Sequence, residues 1–271
     1  MKYALLVMLF VGLISCKEEK KTEQPTMEVE ETTQVEQIDL RKYPQGLVKI
    51  FDAHGGLQNW RNKKSLVYQI PKPEGAEIHT TNLYSRKDKV EGADFSMGFD
   101  GKQVWLLDSD NTYKGDPVFY HNLMFYFYAM PFVLADDGIV YGDSKDVVFE
   151  GKTFPGISIS YNPGVGTSYK DEYFIHYDPE TFQMAWLGYT VSYRSGEKSD
   201  HVKWIRYNDW MKVSDVVLPK SISWYSYEGK TMKESQNTVP FENVILSETA
   251  KPDSFFEKPG QAKFVEGKVQ E

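Results

Sequence analysis

Cysteine is nearly missing from this chain. Its 271 residues hold one, Cys16, so no intrachain disulfide can form and stability must come from packing. An excess of positive charge is also missing. The formal net charge is −8, which argues against nucleic acid as a partner. No apolar run reaches the roughly 20 residues that a membrane-spanning helix needs. Residues 4–14 are too few, and the stretch Pro117–Ala135 is interrupted by His121, Asn122, three tyrosines and Pro131. Local catalytic signatures are lacking too: there is no G-x-S-x-G elbow, no H-E-x-x-H and no Walker loop. Gly164-Val165-Gly166-Thr167-Ser168 lacks the lysine and following helix of a phosphate loop and reads as a hairpin loop. Asp108, Asp110 and Asp116, and likewise Asp136, Asp137, Asp143 and Asp146, lack the order of a calcium loop and read as solvated carboxylates. His54, His79, His121, His176 and His201 are scattered along the chain. No metal or cofactor is expected, and an enzyme is not the first reading.

What the N-terminus does hold is an export signal. A basic start, the apolar residues 4–14 and Ser15-Cys16 follow in order, as in a secretory signal peptide over residues 1–15. Leu13-Ile14-Ser15-Cys16 resembles the lipobox of bacterial lipoproteins, in which the cysteine is acylated and becomes the mature N-terminus. The sole cysteine falls at the required place, so Cys16 is the expected lipid anchor. Residues 16–37 then carry dense charge and no aromatic, a composition that cannot bury enough apolar area to fold and reads as a disordered tether. Lys17-Glu18-Glu19 is similar to the signal that sends some Gram-negative lipoproteins to the cell surface, and an outer-membrane location, periplasmic or surface-facing, is expected.

A single domain is expected over residues 38–265, with a tail over 266–271. Leu47, Ile50, Phe51, His54 and Leu57 keep helical spacing, and Gly55-Gly56 can end that helix. His54 at that end is expected to contact backbone carbonyls. Beyond it the pattern is mainly β, in an α+β class. Strands are predicted over 65–70, 77–85, 95–99, 103–107, 147–150, 157–161, 172–178, 184–193, 201–208, 216–227, 231–237 and 244–247, with turn residues between them. Asp100-Gly101 is a hairpin signal. This spacing predicts an antiparallel meander, curled, with one face lined by large aromatics.

Pro117–Ala135 (PVFYHNLMFYFYAMPFVLA) interrupts the strands and contains no Asp, Glu, Lys or Arg, although 26% of the chain is charged. Asp116 can cap a helix with Pro117 at its first position, and Pro131 should end it near Met130. A helix apolar on every side must be covered on every side. It is either a core helix or a plug roofing an apolar cavity.

Several segments resemble the outer-membrane lipoprotein-sorting superfamily. They are Ser96–Asp108 (SMGFDGKQVWLLD), the Leu218-Pro219-Lys220 start of a late strand, Phe241-Glu242-Asn243-Val244, and Pro252-Asp253-Ser254-Phe255-Phe256 with Pro259. His54-Gly55-Gly56-Leu57 with Trp60, and Met130-Pro131-Phe132-Val133-Leu134, are similar to a branch of uncharacterised lipoproteins of the same fold. The resemblance implies an incomplete antiparallel β-barrel, a lid of short helices and an apolar cavity for acyl chains. It departs from the carrier members of the superfamily in having Cys16 as an anchor and added material such as the loop 161–170. The first functional reading is a membrane-anchored carrier or receptor whose partner is a lipid or an acylated protein. Its ligand would lie against Trp105, Met124, Phe125, Phe127, Met130, Trp186, Tyr189 and Trp224. The alternatives are an envelope hydrolase whose site assembles only in the fold, and a surface or structural lipoprotein.

Overall fold

The computed structural model describes residues 37–164, 169–228 and 231–267. The expected signal peptide, Cys16, the Lys17-Glu18-Glu19 signal, nearly all of the tether and part of the glycine-rich loop lie outside the described residues.

Helix α1 (Gln45–Ala53) buries Leu47, Ile50 and Phe51 on one face, as their spacing requires. It stops at His54 because Gly55 and Gly56 both take positive φ, at 98° and 91°. Gly55 is obligatory on a second ground: a Cβ there would stand 2.1 Å from the Asp215 carbonyl oxygen. A short helix, α2 (Leu57–Arg61), follows at once. The His54 ring is fully buried and ties three elements together. Its Nδ1 lies 3.1 Å from the Val217 carbonyl, and its Nε2 accepts from the Met184 N–H at 3.0 Å.

The fold is mainly β and antiparallel, as expected, and over the described residues it is divided into two seven-stranded sheets rather than one continuous curled sheet. Strands β1 (Ser65–Ile70), β2 (Glu77–Asn82), β3 (Asp88–Glu91), β4 (Ser96–Phe99) and β5 (Val104–Leu107) form the body of the first. The second runs in simple sequence order through β6 (Ile139–Phe149), β7 (Lys152–Tyr161), β8 (Tyr173–Tyr177), β9 (Met184–Tyr189), β10 (Lys203–Val213), β11 (Val216–Glu228) and β12 (Thr231–Pro240). The chain then returns to the first sheet. β13 (Glu242–Ser247) pairs with β1, and β14 (Lys263–Val265) pairs with β5. Two of these strands, β3 and β14, are not among the predicted ones. Each is short, and in β3 Val90 is the lone apolar residue among three charges, so neither shows an alternating pattern.

The charge-free stretch is not one helix. Asp116 accepts from the N–H groups of Val118 and Phe119 and caps α3 (Pro117–Tyr120). The chain then breaks at Asn122, with φ −116° and ψ 0°, before α4 (Leu123–Tyr128) and a 3₁₀ turn, Phe132–Ala135. The carbonyls that these short elements cannot satisfy internally take side-chain donors from distant parts of the chain. The Tyr207 hydroxyl donates to the Phe127 carbonyl at 2.8 Å and the Tyr141 hydroxyl to Leu134 at 2.6 Å. Tyr43 and Arg61 both donate to Ala135, at 3.3 and 3.1 Å.

Most apolar side chains join one core that takes in α1, α2, α4 and parts of both sheets. A second, smaller cluster contains Phe154, Ala185, Trp186, Trp204 and Met232. Arg206 closes it, with its guanidinium 4.9 Å from the Trp186 ring and 5.2 Å from Phe154.

Candidate functional site

A cavity of about 1050 Å³ opens beside α4. That is at the upper end of the roughly 300–1,000 Å³ of common small-molecule sites. Leu123, Tyr126 and Phe127 form part of one wall. They sit at i, i+3 and i+4, so they share one face of α4. The second sheet supplies Tyr173 from β8, Tyr189 from β9 and Trp224 from β11, while β4 and β5 of the first supply Phe99 and Val104. Val118 and Phe119 of α3 and Val265 of β14 also line it.

The aromatic wall is internally ordered. The Phe127 ring lies 5.0 Å from Tyr189 and 5.8 Å from Trp224, the latter edge-on at 85°. Tyr173 stacks parallel to Tyr189 at 6.4 Å. The Trp224 Nε1–H donates to the Tyr189 hydroxyl at 2.9 Å, which leaves the phenol's own proton free to donate elsewhere. Burial pushes the Tyr161, Tyr173 and Tyr189 phenols above their ordinary range, so all three are neutral donors in this wall.

Polar groups punctuate the wall. Asp136 forms an ion pair with Arg86 at 2.6 Å, and Asp171 accepts from the Ser192 N–H at 2.5 Å. Burial raises both carboxyls, while Arg86 and Ser192 respectively pull them back. His121 reaches the wall from the α3–α4 junction, and its Nδ1 lies 2.7 Å from the carboxylate of Asp88. Asp88 is fully buried, and burial raises its carboxyl against the lowering effect of His121. With the Nδ1 proton directed at Asp88, a neutral His121 has Nε2 as its acceptor. Among the described residues, no group of three or more His, Cys, Asp or Glu side chains is placed to hold a metal ion.

The eight residues expected to line a ligand site are distributed unequally. Phe127, Tyr189 and Trp224 stand together on the cavity wall. Met124, Phe125 and Met130 are buried in the main core and are not part of the wall. Trp105 is not there either. It is one residue from the lining Val104, so its side chain takes the other face of β5, where it is fully buried and donates to the Phe256 carbonyl at 2.9 Å. Trp186 sits in the smaller cluster, on the face of the second sheet opposite Tyr189. Reading the sequence did not single out Tyr126, Tyr161, Tyr173 or the His121–Asp88 pair. Tyr173 had a usable signal, since it pairs directly with Tyr189 across β8 and β9. The His121–Asp88 contact, 33 residues apart in the chain, had none.

No family profile and no curated protein matches the chain. Among solved structures, it is similar to a LolA superfamily protein of Nitrosomonas europaea, with 9% identity and a TM-score of 0.47 over 79% of this chain and 97% of that one. It is also similar to a DUF1329 family protein of Desulfovibrio piger, with 10% identity and a TM-score of 0.44 over 78% and 95% of the two chains.

Proposed function

We propose that this protein is a non-catalytic envelope lipoprotein that holds an apolar chain, from a lipid or an acylated protein, in the cavity beside α4. The observation that carries this reading is the cavity itself: about 1050 Å³, walled by one face of a charge-free helix and by ordered aromatic rings from the second sheet. An alkyl chain there gains about 0.8 kcal/mol per buried CH₂, with neutral phenols available to its polar end. The test is displacement of a fluorescent fatty acid from the chain beginning at Lys17, which keeps the whole folded body and lacks the anchor. Saturable binding of a long-chain probe supports the carrier. No binding of any long-chain probe defeats it and leaves α4 as plain core.

The same proposal places the lipid on Cys16 and the protein at the outer membrane. Cys16→Ala is expected to abolish the lipid adduct in an intact-mass measurement. Protease shaving of intact cells is expected to digest the body if Lys17-Glu18-Glu19 acts as a surface signal, and full protection there assigns it to the periplasmic face.

The His121–Asp88 pair favours a second reading, an envelope hydrolase in which His121 takes a proton from water. Hydrolysis of a long-chain p-nitrophenyl ester by the wild type and not by His121→Asn would establish it. Equal rates in the two proteins would dismiss it.

A further inference from the structure

We infer that the cavity's ligand is an anionic amphiphile, with its carboxylate or phosphate held at the mouth by Lys102, Arg194 and Lys203. This rests on the carrier reading and sharpens it to a class of ligand.

The three cations come from separate elements. Lys102 lies in the β4–β5 turn, Arg194 follows the end of β9, and Lys203 is the first residue of β10. All three line the cavity and all three are solvent-exposed. The C-terminal segment runs past the neighbours of the first two. Val265 pairs with Val104 beside Lys102, and a methyl placed on Gly267 would stand 3.1 Å from the Tyr193 hydroxyl and 3.4 Å from Val118. Lys203 pairs across the ladder with Tyr189, already on the aromatic wall.

These cations differ from several others on the molecule in what they lack. Lys63, Arg86, Lys87 and Lys152 each hold a carboxylate within 3 Å. Among the described residues, Lys102, Arg194 and Lys203 have neither an ion-pair partner nor a side-chain hydrogen bond. The wall's carboxylates do not serve them. Asp136 is paired with Arg86, whereas Asp171 accepts only a neutral N–H from Ser192 and Asp137 has no ion-pair partner among the described residues. The lining charges without an ion-pair partner are therefore three cations against two carboxylates, an excess of positive charge on a protein whose net charge is −8. Low-dielectric walls focus the field of such a rim into the opening. An alkyl chain alone uses the aromatic wall and gains nothing from the rim, whereas a chain ending in an anion uses both.

Calorimetry with the chain beginning at Lys17 tests this, using dodecanoate, dodecyl phosphate, dodecanol and inorganic phosphate as ligands. Both anionic amphiphiles are expected to bind about tenfold more tightly than dodecanol, as several exposed ion pairs together allow. High salt should shrink that ratio in the wild type, a result that does not depend on any variant folding. Combining Lys102→Gln, Arg194→Gln and Lys203→Gln should bring the ratio near one. Equal wild-type affinity for dodecanol and dodecanoate overturns the inference and leaves the carrier reading standing. Inorganic phosphate binding as tightly as dodecyl phosphate also overturns it, by showing a free-anion site. Failure of all three amphiphiles to bind removes the carrier reading and the inference together.

Discussion

The two faces of the second sheet carry similar side chains and do different things with them. Tyr189 and Trp224 stand on one face and border open space. Trp186 and Trp204, from the same strands or their neighbours, stand on the other and close a packed cluster around Arg206. Trp186 is fully buried and does not line the cavity. Aromatic content therefore marks neither a site nor a core. The difference is strand parity: a shift of one residue moves a ring from one environment to the other.

Substitutions that separate the faces sharpen this comparison. The largest effects belong to the packed positions. Trp186→Ala and Phe125→Ala should each lower unfolding free energy in urea by about 3–5 kcal/mol, with the folded fraction binding a fatty-acid probe at wild-type affinity. A loss of affinity in step with stability would erase the distinction. Next comes the pH dependence shared by two of the buried imidazoles, His54 against the second sheet and His176 beside the smaller cluster. Burial pushes each down to about 4 from an ordinary 6.5. Between those values the unfolded chain binds protons that the folded protein refuses, so stability is complete above pH 6.5 and falls as pH drops toward 4. For His54 the fall is on the order of 3 kcal/mol. Its neutral ring must accept from Met184, and a second ring proton would face that N–H. His54→Gln should flatten part of the slope in urea melts run across this range, and an unchanged slope would count against it.

Smaller effects lie on the cavity face. Phe127→Ala should weaken probe binding about tenfold, or ~1.4 kcal/mol, and cost less stability than Phe125→Ala, because part of its ring already borders open space. Stability loss equal to that of Phe125→Ala, with binding intact, would make α4 ordinary core on both sides. Smallest is Trp224→Phe, which removes the 2.9 Å hydrogen bond to Tyr189 and should cost about 1 kcal/mol in the same melts.

The strands of the second sheet were largely legible because their alternation is long and their turns carry Gly, Pro and Asp. β11 extends one residue beyond its predicted bounds, whereas only the last three residues of β6 fall in a predicted strand; in the first sheet β1 matches its bounds. β3 and β14 were not legible, since segments of three or four residues are too short to show an alternation and in β3 one of the two buried side chains is the charged Asp88. The cavity was half legible. A helix with no polar face declares that it must be covered, yet that same uniformity hides which side meets the cavity and which the core. In α4, Leu123, Tyr126 and Phe127 differ from Met124, Phe125 and Tyr128 only in where the rest of the fold sits. Trp105 and Trp186 could have been separated from the wall by counting parity from Val104 and Tyr189. Which parity faced inward, however, is decided by partners far along the chain.

The order of strands in the first sheet has a consequence for how this protein can be made and cut. Both of its borders are supplied by the end of the chain: β13 covers β1 and β14 covers β5. A growing or clipped polypeptide that stops short of Glu242 therefore carries two bare ladders of backbone donors and acceptors, each able to recruit another chain. The final residues act as a clasp. Removing them should make the body aggregate before it disturbs the cavity, and a fusion partner is safer beyond Gly267 than in place of the strands before it.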